Sequence, residues 1–311
     1  MDKYSRRHGE VVGIPKFTIP KEEYVCRGHS ACPGCGTPLA MRYTLKALGP
    51  KTILSIPAGC GGVILGLWPG YALKVPVVDN AFECTAAIAD GIRTGFDVMG
   101  IEDANVVAWA GDGGTVDIGL QALSATVDRN ANIIYIMLDN EAYMNTGIQK
   151  SGCTPIGAWT TTTPVADGKG WNTSPKKRIM EILVANGISY GATVNVAYPE
   201  DFIARIKEAK EIKGTKFIHV LAPCTPGWRI DPRMTIEVAR LATQTGIFPL
   251  YKVVNGKYTL TKEIRNRKPV RDYLKLQGRF RHLSEESINE IQRIVDAEYE
   301  RLMKLIKSTN E

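Results

Sequence analysis

The sequence lacks a second Cys-x-x-Cys, any internal repeat and any low-complexity tract, and only 8% of its 311 residues are aromatic. Each absence removes a class of protein. A single Cys-x-x-Cys cannot build a zinc ribbon, which takes two such pairs. No basic stripe interleaved with aromatics is visible, so the net charge of +7 does not read as a nucleic-acid surface. Residues 1–23 are charged throughout and carry no apolar run, so export is not expected and a cytoplasmic protein is. Seven cysteines cannot all pair within the chain, and in a reducing cytosol they read as ligands or buried thiols rather than a disulfide framework.

Charge is also missing from residues 52–73, a stretch long enough to span a bilayer. Pro57, Gly59, Gly61, Gly62, Gly66, Pro69 and Gly70 would leave backbone groups unsatisfied in lipid, so no transmembrane helix is expected there.

What is present is a full core's worth of apolar residues, 44% of the chain, in a regular alternation. Short β-branched runs at 53–56, 106–110, 133–138, 189–194 and 217–222 predict strands. Amphipathic runs at 84–99, 118–128, 175–186 and 199–212 predict helices, the last with Pro199 in its first turn and an apolar stripe of Phe202, Ile203, Ile206 and Ala209. Apolar strands separated by helices predict an α/β fold, a parallel sheet covered by helices on both faces. One domain over residues 26–250 is expected. An N-terminal extension (1–25) and a charged C-terminal extension (251–311), closing in a heptad-like helix at 285–307, flank it.

In such sheets ligands bind beyond the carboxyl ends of the strands. Gly111-Asp112-Gly113-Gly114 follows the strand at 106–110, and Asp139-Asn140 ends the next one. Glycines there let the backbone approach phosphate oxygens, and a helix starting at Ile118 would aim its N-terminus at them. Asp112 offers a hard anionic oxygen, Asn140 an amide oxygen, and a backbone carbonyl two residues later a third ligand, which suits magnesium on a diphosphate. Asp139 is the alternative acidic ligand, since neighbouring strand residues point in opposite directions.

Cys32-Pro33-Gly34-Cys35 puts two thiols within reach of one metal or of each other. A thioredoxin-like redox pair would need a following helix in a βαβ setting. Completing a four-thiolate site needs distant singles: Cys60 and Cys224 both follow strands on the phosphate-loop edge, and Cys153 competes with them. Cys26 and Cys84 read as ordinary thiols. Spacing alone does not choose between zinc and a 4Fe-4S cluster.

Taken together, the stretches 28–35, 56–60, 111–121, 139–149 and 223–228 resemble the thiamine diphosphate binding beta subunit of the multi-subunit 2-oxoacid:ferredoxin oxidoreductases. The resemblance covers nearly the whole chain and is most specific at Gly111–Gln121 and Asp139–Gln149. It implies thiamine diphosphate on Gly111, Asp112, Gly113, Gly114, Asn140, Ala142, Asn145 and Thr146. It implies Mg2+ on Asp112, Asn140 and the Ala142 carbonyl, and a 4Fe-4S cluster on Cys32, Cys35, Cys60 and Cys224. Asn145 would be the catalytic residue that orients substrate, whereas His29, beside the cysteine pair, is left outside that set.

The implied reaction is oxidative decarboxylation of a 2-oxoacid, with pyruvate, branched-chain acids and oxalate as the substrates considered. Electrons would pass through the cluster to ferredoxin, and for pyruvate-type substrates coenzyme A would collect the acyl group. Other subunits of the enzyme would supply the glutamate that activates the cofactor, and residues 274–282 read either as an arm toward them or as an ordinary solvated loop. The rival readings are a non-redox thiamine-dependent decarboxylase or transferase with structural cysteines, and a basic zinc protein that contacts nucleic acid.

Overall fold

The structure is a computed structural model that describes residues 19–66, 70–166 and 170–311. Most of the expected N-terminal extension, and Pro69 of the uncharged stretch, lie outside the described residues. Residues 19–25 are not loose: Glu23 pairs with Arg42 and Lys46, and Val25 bridges to Leu73.

Eight strands form one sheet: β1 (Thr52–Pro57), β2 (Val77–Asn80), β3 (Asn105–Gly111), β4 (Ile134–Asp139), β5 (Tyr190–Asn195), β6 (Lys216–Leu221), β7 (Tyr251–Val254) and β8 (Lys257–Leu260). Their order is β2-β1-β3-β4-β6-β5-β7-β8, and the first six are parallel. The helices are α1 (Gly36–Leu48), α2 (Cys60–Val63), α3 (Thr85–Val98), α4 (Asp112–Val116), α5 (Leu120–Asp128), α6 (Ile179–Ala185), α7 (Pro199–Glu211), α8 (Thr225–Trp228), α9 (Thr235–Gln244), α10 (Val270–Leu274) and α11 (Glu285–Asn310).

Side chains alternate across the strands and fill a core on each face. In β3, Val107 and Trp109 join Met41 and Leu45 of α1 and Phe202 and Ile206 of α7, while Val106, Ala108 and Ala110 join Ala86 and Ala89 of α3 and Leu123 of α5. Helices therefore cover both faces, as the unbroken apolar strands require. Among the described residues no helix is long and apolar enough to cross a membrane.

Residues 251–311 are less an appendage than expected. The β7–β8 hairpin extends the sheet through antiparallel pairing with β5, and α11, capped by Ser284, packs on β8. Strand order reverses between β1 and β3, since β2 lies on one side of β1 and every later strand on the other. That reversal opens a crevice at the carboxyl edge, where the loops after β1, β3, β4 and β6 gather.

Candidate active site

A cavity of about 230 Å3 occupies the crevice. The residues that the resemblance assigns to the cofactor all line it: Gly111, Asp112, Gly113, Gly114, Asn140, Ala142, Asn145 and Thr146. Cys60 and Thr37 complete its wall on the α1 and α2 side, and Phe82, unforeseen from sequence, closes it beyond β2.

The phosphate loop differs from expectation in one respect. The helix that starts at its glycines is α4, beginning at Asp112, whereas the helix expected from Ile118 starts only at Leu120. The chain breaks between them because Gly119 passes the Gly114 carbonyl so closely that a Cβ would lie 2.1 Å from it. Gly113 is packed from the far side: a Cβ there would lie 2.2 Å from the Tyr143 ring. Tyr143 is fixed by donating its hydroxyl to Asp117 at 2.8 Å, and Lys177 and the Gly152 N–H hold the same carboxylate.

Three oxygen-bearing groups meet in the cavity. Asp112 is 1% exposed, and the Ser151 hydroxyl donates to its Oδ2 at 2.5 Å. The inner atom of the Asn140 carboxamide lies 3.1 Å from Asp112 Oδ1 and 2.8 Å from the Ala142 carbonyl oxygen. The two ends of a carboxamide have the same shape. With Nδ2 inward, Asn140 donates to both acceptors; with Oδ1 inward, three acceptor oxygens converge on one point. Oxygens about 2.1 Å from one magnesium ion at right angles stand about 3 Å apart, which these edges match. The residues therefore fit the ion, and Asp112, Asn140 and Ala142 are the ones that would hold it.

Convergence of Asn140 and Ala142 depends on the residue between them. Glu141 has φ +70°, a left-handed conformation that costs a non-glycine residue about 1–2 kcal/mol. Its N–H donates to Asp139 Oδ1 at 3.0 Å, its carbonyl accepts from Thr154 Oγ1 at 2.8 Å, and its buried carboxylate pairs with Lys176 and Arg279.

Asp139 faces the opposite way. Its Oδ2 accepts from Lys176 Nζ at 3.3 Å and meets His219 Nε2 at 2.8 Å, so both oxygens are engaged outside the cavity. Burial alone would raise its pKa, but Lys176 and His219 hold it below the usual carboxylate value. Burial and the nearby Asp139 charge push Asp112 well above it.

Cys32, Cys35, Cys60 and Cys224 gather next to the cavity. Burial pushes the Cys60 thiol up to about 11, with Cys35, Cys32 and Asp112 adding to the rise. Burial raises Cys224 to about 12, with Cys35, Cys60 and Cys32 adding to it. Two hydrogen bonds tie the Cys-x-x-Cys turn to the exit of β6, Gly36 N–H to Pro223 O at 3.0 Å and Thr225 Oγ1 to Pro33 O at 2.7 Å, and a third, Thr235 Oγ1 to Gly34 O at 2.6 Å, ties it to the start of α9. The Gly227 N–H donates to Cys224 Sγ at 3.4 Å. Cys153 instead lies with the carboxylates, its sulfur within 4.8 Å of oxygens of Asp112 and Asp139. None of the seven cysteines forms a disulfide.

Residues 274–282 are packed largely against this chain rather than forming a solvated loop. Leu274, Gln277, Gly278, Arg279 and Phe280 are buried, because the Arg279 side chain turns inward over the Trp228 ring, 4.2 Å from its centroid, to reach Glu141. Trp228 in turn donates its indole N–H to the Asn140 carbonyl at 2.7 Å. The sequence signal for this contact was an arginine in a charged-looking segment, which carries no pointer to its partner.

The profile of the thiamine pyrophosphate enzyme C-terminal TPP binding domain matches residues 78–220. The chain is 49% identical over 297 residues to ketoisovalerate oxidoreductase subunit VorB of Pyrococcus furiosus, covering 93% of this chain and 96% of that one. It is 47% identical over 279 residues to pyruvate synthase subunit PorB of Methanothermobacter thermautotrophicus, covering 90% and 97%. This chain is a beta subunit of the 2-oxoacid:ferredoxin oxidoreductase family. Among solved structures, a chain of 2-oxoglutarate:ferredoxin oxidoreductase from Magnetococcus marinus shares this fold, with a TM-score of 0.56 at 21% identity over 72% of this chain and 82% of that one. As a 2-oxoacid oxidoreductase subunit, this chain presents its thiamine diphosphate domain at the crevice just described, with β3 and β4 inside the matched residues.

Proposed function

We propose that this beta subunit binds thiamine diphosphate, Mg2+ and a 4Fe-4S cluster within a multi-subunit enzyme that oxidatively decarboxylates a 2-oxoacid and passes the electrons to ferredoxin. One residue carries the reading: Cys60 lines the cavity and also lies among the thiols of Cys32, Cys35 and Cys224. A cluster held there would adjoin the cofactor. Bound thiamine diphosphate supplies a carbon nucleophile for the 2-oxo group and a sink for the electrons that decarboxylation leaves behind.

The chain's own groups bind, orient and exclude water. Gly111–Gly114 offers backbone to phosphate oxygens, and Gly111 faces open space with nothing within 4 Å of its missing Cβ. Asp112, Asn140 and the Ala142 carbonyl take the cation that neutralises the diphosphate. Asn145 is exposed at the rim and makes no side-chain hydrogen bond with the described residues, which leaves its carboxamide available to orient substrate. Asp112 is the only acidic side chain lining the cavity among the described residues, consistent with a partner subunit bringing the glutamate that activates the aminopyrimidine.

Four thiols close enough to raise one another's pKa can hold zinc or a cubane alike, and the likeness to ferredoxin-dependent oxidoreductases favours the cubane. The relatives act on ketoisovalerate and pyruvate at nearly equal identity, so the substrate proposed is a 2-oxoacid with a short aliphatic tail, and coenzyme A takes the acyl group.

The test is anaerobic purification of the assembled complex, followed by metal analysis and ferredoxin reduction with each 2-oxoacid, with and without coenzyme A. Broad absorption near 400 nm and about four irons per beta subunit are expected. Stoichiometric zinc without colour would remove the electron-transfer assignment.

A further inference from the structure

We propose that Arg279 is a positioning residue of the cation site, holding Glu141 in the conformation that turns the Asn140 side chain and the Ala142 carbonyl to one point. The inference rests on the reading that those two groups face a divalent cation.

A peptide unit in an extended or right-handed conformation at residue 141 would send the groups on its two sides apart. The left-handed conformation, φ +70°, brings them together, and glutamate has no intrinsic preference for it. It persists only where surrounding contacts over-determine it. The N–H and carbonyl contacts are local in sequence, Asp139 lying two residues and Thr154 thirteen residues from Glu141. The carboxylate contact is not local: Arg279 lies 138 residues further along the chain and enters from beyond α10.

Arg279 is itself rigid. It is 2% exposed, its Nε donates to Gln277 Oε1 at 3.0 Å, and its guanidinium lies 4.2 Å from the Trp228 centroid and 4.8 Å from that of Phe280. Trp228 holds the same loop from the same side through the Asn140 carbonyl. Lys176, which also reaches Glu141, is 27% exposed and divides itself between Glu141 and Asp139. The planar, stacked arginine is the less movable partner.

The experiment titrates Mn2+ into the assembled complex in the presence of thiamine diphosphate and follows unbound Mn2+ by electron paramagnetic resonance. Arg279→Gln should weaken Mn2+ binding by about 10- to 100-fold, the usual effect of removing a group that orients a ligand. Adding Glu141→Gly, which adopts the left-handed conformation unaided, should restore part of the lost affinity. Urea unfolding of the same variants separates the roles, because a role in stability alone would move the unfolding midpoint and leave the Mn2+ affinity of the folded protein unchanged. Should Arg279→Gln fail to fold, Arg279→Lys serves in its place, with a smaller expected loss because the charge remains.

Unchanged Mn2+ affinity in a folded Arg279 variant, or no recovery in the double variant, overturns the inference. Mn2+ binding absent from the unaltered complex would instead overturn the functional reading beneath it.

Discussion

Asp112, the residue just past β3, and Asp139, the last residue of β4, hold carboxylate oxygens within 4.8 Å of each other, yet their surroundings shift their pKa values in opposite directions. Lys176 and His219 keep Asp139 an anion against its burial, and that anion, added to Asp112's own burial, raises Asp112. Without a cation, Asp112 is a strained group kept for binding. Asp112's own contribution to the stability of the cofactor-free protein should therefore be fully present below the pKa of an unfolded carboxyl and be lost as pH rises through the raised folded-state pKa, because the folded state holds that proton more tightly than the unfolded chain. Mg2+ with thiamine diphosphate should flatten that decline. Thermal unfolding across pH, with and without both ligands, measures it.

Asp112→Asn separates binding from folding. The substitution removes a buried acid whose ionisation the site opposes while keeping a polar group beside Ser151, so the cofactor-free chain should become more stable at neutral pH by about 1–3 kcal/mol. Cofactor retention on a desalting column should be lost. A destabilised variant that still retains thiamine diphosphate would show that Asp112 is structural and the phosphate loop misassigned.

How much of this was legible in the sequence follows from how each contact is encoded. The glycines and acids at the ends of β3 and β4 are adjacent in sequence to the strands that aim them, so Asp112 and Asn140 could be read directly. So could the α7 stripe of Phe202, Ile203, Ile206 and Ala209, all buried at helical spacing. The edge strand β2 is four half-exposed residues long and gives too weak an alternation to detect. Helix α1 was overlooked because Gly36 and Pro38 at its start read as a turn continuing from the cysteine pair, although Ala40, Met41, Leu45 and Leu48 form its buried face. Contacts between distant segments, such as Arg279 with Glu141 or Tyr143 against Gly113, leave no periodic trace and emerge only from the packed chain.

Gly113 tests the packing of the phosphate loop. A methyl group there would lie 2.2 Å from the Tyr143 ring, and that ring cannot simply withdraw because its hydroxyl is bound to Asp117. Gly113→Ala should cost about 1–3 kcal/mol of stability through overpacking and also weaken cofactor binding. Pairing it with Tyr143→Leu should restore stability, and calorimetric unfolding of the single and double variants would show whether it does.

The cysteines divide into two groups by neighbourhood. Single Ser replacements at 32, 35, 60 and 224 should each bleach the anaerobic 400 nm absorption and lower the iron content. Cys153→Ala should leave both unchanged, since the buried Cys153 sulfur lies against Asp112 and Asp139 rather than with the four thiols. Loss of iron in the Cys153 variant would mean that the ligand set includes it.

Lys216 supplies a pH effect at the opposite edge of the sheet. It begins β6, is 2% exposed, and its Nζ donates to Asn132 Oδ1 at 2.6 Å without any carboxylate close enough to pair with it. Burial, with Lys213 and Arg93 nearby, lowers its pKa from 10.5 to about 7. Between those values the unfolded chain binds the proton and the folded chain has released it, so stability should rise with pH across that interval. Below about 7 both states are protonated and the full penalty of the buried ammonium remains. Lys216→Met should therefore stabilise the protein by a few kcal/mol near pH 6, with the advantage shrinking steadily toward pH 10. Urea unfolding of both proteins at pH 6, 8 and 10 checks the trend, and an advantage that stays constant with pH would mean that Lys216 remains protonated in the folded state.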